Sequence, residues 1–106
     1  MPSNIKAILK YSSLKGKLSP ETLQRIQTLY MKILANSHSS SAAETHLKQL
    51  WKITRKVLAN WNLHREYIQI LEDTLRDYIY TYCYFELQID LLKEFKSLRM
   101  ILESVS

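Results

Sequence analysis

Beyond residue 20 this chain contains neither glycine nor proline: Pro2, Gly16 and Pro20 are the only residues of either type among 106. Hairpins, tight turns and phosphate-cradling loops draw on glycine for positive φ, and a chain without it cannot build them at ordinary density. Leu, Ile, Lys, Glu and Gln, all favourable in helices, are abundant in the remainder. The expected fold is therefore all-α, a small bundle of four to five helices. The length fits one domain, and 46% hydrophobic residues is too many for a wholly disordered chain. The lone Cys83 excludes an internal disulfide and a multi-thiolate zinc site, which suits a reducing compartment.

The pattern divides the chain into a basic amphipathic segment, residues 1–17, and a helical bundle core, residues 18–106. In the first, Ser3 is placed to cap a helix from Asn4 to Leu14, on which Ile5, Ile8 and Leu9 form an apolar stripe flanked by Lys6 and Lys10. Two readings fit these five residues. They suit weak attachment to an anionic membrane surface, or the stripe packs inward as a first bundle helix. In the core, Ser19, Pro20 and Glu21 read as cap, first helical residue and first-turn acid. Leu23, Ile26, Leu29, Tyr30, Ile33 and Leu34 then recur at helical spacing. Ser41-Ala42-Ala43-Glu44 fits a capping box, and the helix after it directs Leu47, Leu50, Trp51, Thr54, Val57, Leu58 and Trp61 inward. Asn60 to Asn62 can end it.

From Leu63 to about Ser104 no helix breaker occurs. An unbroken helix of ~42 residues would be about 63 Å long, whereas a compact domain of this size has a radius of gyration of ~13 Å. The β-branched and aromatic run from Ile79 to Phe85 is the weakest helix former in the segment, so a kink or break is expected between residues 79 and 85. Without one, the surplus helix would have to pack against a second copy, making the protein a homodimer.

Charge is unevenly spread. Residues 1–65 hold eleven Lys and Arg against two acids, whereas residues 66–106 hold four against eight. Lys48, Lys52, Arg55 and Lys56 lie at i, i+4, i+7 and i+8, a basic stripe opposite the apolar face. Such a stripe either seats the acids of the C-terminal half or meets an acidic partner or phosphate. The tyrosine run Tyr78, Tyr80, Tyr82 and Tyr84 offers aromatic anchors for a partner, with core packing the fate of at least half. Catalytic patterns are lacking. His38, His46 and His64 show no metal-ligand spacing and read as surface or boundary residues, and Cys83 has no histidine within a helical turn. Glu72, Asp73 and Asp77 resemble a solvated helix face, and no nucleotide-binding glycine loop is present. These features predict a protein that is not an enzyme and carries no metal or cofactor. No apolar run approaches the ~18 residues of a membrane span, and no signal peptide opens the chain, so a cytoplasmic location is expected.

Two stretches carry a resemblance. Met1-Pro2-Ser3-Asn4-Ile5-Lys6-Ala7-Ile8-Leu9-Lys10 resembles the N-terminus of respirovirus C proteins, those of Sendai and the human parainfluenza viruses. Gln27-Thr28-Leu29-Tyr30-Met31-Lys32-Ile33-Leu34-Ala35 is similar to a second segment of that family. Trp51, Thr54 and Asn62-Leu63 fall at spacing comparable to a Trp-containing helix there. The long polar linker of the family is lacking, and the Tyr78–Tyr84 run has no counterpart, so the likeness is to a shortened, divergent member. The resemblance implies a non-structural accessory protein made from an overlapping reading frame. Such proteins antagonise interferon signalling by binding STAT transcription factors, reduce viral RNA synthesis through the polymerase, and engage membranes through the N-terminal segment. Size and charge alone also suit a bacterial regulatory or bacteriocin-immunity bundle, or a basic nucleic-acid-binding bundle.

Overall fold

A computed structural model of the protein describes residues 17–59 and 64–105. Four helices occupy them: α1 (Pro20–Ala35), α2 (Ser41–Ala59), α3 (His64–Tyr82) and α4 (Phe85–Ser104). Among the described residues there is no strand, only an isolated antiparallel bridge between Ser37 and Cys83. The helix expected over 4–14, its membrane-contact residues and Trp61 lie outside the described residues.

The start of α1 follows its local chemistry. Ser19 Oγ accepts from the Thr22 N–H at 3.1 Å, Pro20 occupies the first helical turn, and Glu21 complements the positive end of the helix. The start of α2 departs from the expected capping box. Ser40, one residue earlier, is the cap: its Oγ accepts from the Ala43 N–H at 3.1 Å and its carbonyl from the Glu44 N–H at 3.0 Å. Ala43 thus takes the position from which a glutamate would reach back, and it is buried instead.

The break expected between 79 and 85 falls at Cys83 and Tyr84, between the end of α3 and the start of α4. Backbone pairing from a distant loop holds it open. His38 N–H donates to the Tyr82 carbonyl at 2.8 Å and Tyr84 N–H to the Asn36 carbonyl at 3.0 Å. Gln88 Nε2 donates to the Cys83 and Tyr80 carbonyls at 3.2 and 3.3 Å, satisfying acceptors that the end of α3 leaves free. The four helices consequently run up-down-up-down, with α3 packed between α2 and α4, and α4 also packed on α1. The radius of gyration is 12.9 Å, so the chain folds back on itself and helix length no longer calls for a second copy.

The core is a single cluster. Ile33, Leu50, Leu58, Ile68, Leu75, Ile79, Leu91 and Phe95 are among its least exposed members. A buried polar pair threads it: Tyr30 Oη and Thr54 Oγ1 lie 2.9 Å apart, and Thr54 Oγ1 donates to the Leu50 carbonyl at 2.8 Å. The space left at the centre, beside Ile26, Tyr30, Thr54 and Phe95, is about 10 Å³, too small for a substrate.

Candidate functional site

The basic stripe exists as a surface. Lys48, Lys52, Arg55 and Lys56 are all exposed on α2. Lys56 Nζ sits 5.6 Å from the centroid of the Tyr67 ring on α3, a cation–π contact. Lys48, Lys52 and Arg55 enter no ion pair among the described residues. Glu72 and Asp73, two acids of the C-terminal half, are engaged elsewhere. Glu72 accepts from Arg99 at 2.7 Å and from Arg76 at 3.0 Å, and Asp73 lies 3.5 Å from Arg76. Arg99 also reaches Glu103 at 2.5 Å, so one guanidinium ties α3 to the last turn of α4.

This network has an acid-sensitive member. Burial alone would raise the Glu72 carboxyl, but the hydrogen bond and charge of Arg99, reinforced by Arg76, outweigh it and hold the group below the ordinary carboxylate range. The folded state therefore binds this proton less readily than the unfolded chain. Glu72 adds stability above its unfolded pKa, and the contribution disappears as pH falls through the lower folded value. Glu72→Gln is expected to cost about 1–2 kcal/mol at neutral pH and to flatten the loss of stability on acidification. Urea unfolding at a series of pH values measures both. An unchanged slope would remove Glu72 from the acid response.

The four tyrosines divide. Tyr78 and Tyr82 face the core, at 2% and 9% exposure, because they continue the inward spacing of Leu71 and Leu75. They are not available as partner anchors in this fold. Tyr78 Oη donates to Ser37 Oγ at 3.2 Å, and burial pushes its phenol up. Tyr82 Oη lies 2.6 Å from His46 Nδ1. Both thereby fasten α3 to neighbouring elements. Tyr80 and Tyr84 stay about half exposed, Tyr84 with its ring edge-on to His38 at 4.8 Å. Cys83 is buried, and burial pushes its thiol up to about 11, so it remains protonated and unreactive at neutral pH. No group of three or more His, Cys, Asp or Glu among the described residues could hold a metal ion.

Two features escape a reading of the sequence alone. His64 is buried, not a boundary residue: Nδ1 lies 2.9 Å from the Val57 carbonyl oxygen and Nε2 2.9 Å from that of Leu102. A groove of about 370 Å³ also runs between α3 and α4, lined by Tyr80, Ile89, Leu92 and Lys96 among others. Its signal was present in the sequence as a second apolar stripe on α4, Phe85, Ile89, Leu92 and Met100, which becomes visible only once the break at residue 84 is placed. Comparison of the chain with protein-family models, curated proteins and solved structures finds no match.

Proposed function

We propose that this protein is a non-catalytic interaction module whose α2 basic face meets an acidic surface on a protein partner. The observation that carries the reading is the exposure of Lys48, Lys52 and Arg55, which enter no ion pair among the described residues, while Glu72 and Asp73 of α3 are held by arginines of α3 and α4. Charges on such a rim set encounter rate and specificity, and the exposed tyrosines Tyr80 and Tyr84 are suited to supply apolar contact.

The resemblance to respirovirus C proteins supplies the setting. In it the protein is a viral accessory factor of the host cytoplasm that binds STAT-type signalling proteins, blunts the interferon response and lowers RNA synthesis through the viral polymerase. No helix among the described residues is long and apolar enough to cross a membrane. Contact with an anionic membrane rests on Ile5, Lys6, Ile8, Leu9 and Lys10, outside the described residues.

An interferon-responsive reporter, paired with recovery of STAT proteins on the full chain, tests the reading. Wild type should suppress the reporter and retain STAT, and the Arg55→Glu/Lys56→Glu double variant should weaken both, with added salt acting in the same direction. A folded protein that does neither removes the interferon role and leaves polymerase regulation. Retention of RNA in place of protein favours the nucleic-acid-binding alternative. A second open reading frame overlapping the gene would independently support the viral origin.

A further inference from the structure

We propose that the groove between α3 and α4 docks an acidic amphipathic helix from a partner protein. This surface does not depend on the α2 face: α3 carries α2 on one side and the groove on the other. Its apolar lining comes from Tyr80 on α3 and from Ile89, Leu92 and Phe95 on α4. Phe95 also belongs to the core, whereas Tyr80 is 50% and Ile89 56% exposed.

Helix α4 has more apolar surface than the bundle uses. Leu91, Phe95, Leu98 and Leu102 meet the core. Phe85, Ile89, Leu92, Lys96 and Met100 follow at i, i+4, i+7, i+11 and i+15, a second stripe of which Leu92 also packs against the core. Phe85 and Met100 are 81% and 73% exposed. From Ile89 to Met100 this stripe spans about 16 Å, three turns of a docked helix.

The charges beside the groove select the partner. Lys93 and Lys96 line it and enter no ion pair among the described residues. Arg76 lines it too, held by Glu72 and Asp73. Glu72 is the one carboxylate in the lining, and it already takes two guanidiniums. An incoming helix therefore meets an apolar floor with two uncommitted ammonium groups at its edge. Glutamates or aspartates flanking a leucine stripe complement that arrangement, and a basic helix would meet like charge.

The probe is a fluorescein-labelled helical peptide of about 16 residues with leucines at i, i+4 and i+7 and glutamates elsewhere, titrated with the full chain and followed by anisotropy. Saturable binding is expected, weakened about 10-fold or more by Ile89→Glu and at least ~5-fold by Lys93→Glu/Lys96→Glu. All three positions are exposed, so circular dichroism and the melting midpoint should stay near wild type. Reversal of Lys48 and Lys52 on α2 should change the affinity by less than ~2-fold at physiological salt. Absence of saturable binding would overturn the proposal, as would equal binding of a lysine-for-glutamate or scrambled peptide. A loss on α2 reversal equal to that of Lys93→Glu/Lys96→Glu would place the peptide elsewhere. A dimer in sedimentation that Ile89→Glu dissociates would assign the groove to a second copy and also overturn it.

Discussion

Replacing Trp51 with alanine is expected to remove about 3–5 kcal/mol of stability, while Lys52→Ala, one residue on, should cost well under 1 kcal/mol. The two side chains share a helix but not a face. Trp51 is only 6% exposed and packs 5.4 Å, centroid to centroid, from Tyr30 of α1, whereas Lys52 points to solvent. Tyr30 in turn is pinned to α2 by Thr54, and burial pushes its phenol far up, so it stays a neutral donor. Deleting the indole therefore empties a site at which α1 and α2 meet through large side chains. Trp51 Nε1 is buried with no hydrogen-bond partner among the described residues. Trp51→Phe should thus keep most of the ring contact without losing a hydrogen bond, at a cost of about 1–2 kcal/mol. Urea unfolding of the three variants decides. Equal losses for Trp51→Ala and Lys52→Ala would mean that the helix face is misassigned. A phenylalanine as costly as the alanine would mean that the indole N–H has a partner.

What the sequence discloses here is what depends on neighbours within a turn or two. Ser19, Pro20 and Glu21 mark a helix start that needs nothing else, and the inward stripe of α2 from Leu47 to Leu58 follows from period alone. The second helix start was displaced by one residue because three consecutive serines, Ser39, Ser40 and Ser41, each offer a capping hydroxyl. Packing Ala43 into the core settles the choice. The break near residue 84 was legible as weak propensity, yet what fixes it is Asn36 and His38, more than forty residues upstream. The same limit applies to charge. The basic stripe could be read from spacing, but the capture of Glu72 by Arg99, 27 residues away in sequence, could not. Helical period also separates Tyr78 and Tyr82 from Tyr80 once the helix frame is known. Only the groove required knowing which face of α4 the core would take.

His64 is the residue on which sequence and structure differ most, and its replacement should be nearly as damaging as that of Trp51. It opens α3 at the point where α2 and α4 both end, with 1% of its surface exposed. Val57 and Leu102 lie in the last turns of those two helices, where carbonyl groups lack intrahelical donors. Each of its ring nitrogens lies 2.9 Å from one of those oxygens. Carbonyl oxygens only accept, so a contact of this kind is a hydrogen bond where the ring nitrogen carries hydrogen. His64→Leu keeps the apolar volume but withdraws the ring nitrogens from both carbonyls, an expected loss of about 2–4 kcal/mol at ~1–3 kcal/mol per unsatisfied group. Asparagine or glutamine can offer only one amide nitrogen to two acceptors on different helices, so His64→Gln should recover part of the loss at most. Nitrogen-15 spectra of the folded protein provide a direct check, because a ring N–H of His64 held on a buried carbonyl should be slow to exchange with solvent. A ring N–H that exchanges freely with solvent, or a leucine variant as stable as wild type, would reduce His64 to a packing residue. A protected ring N–H together with a destabilised leucine variant would establish His64 as the tie between the ends of α2 and α4.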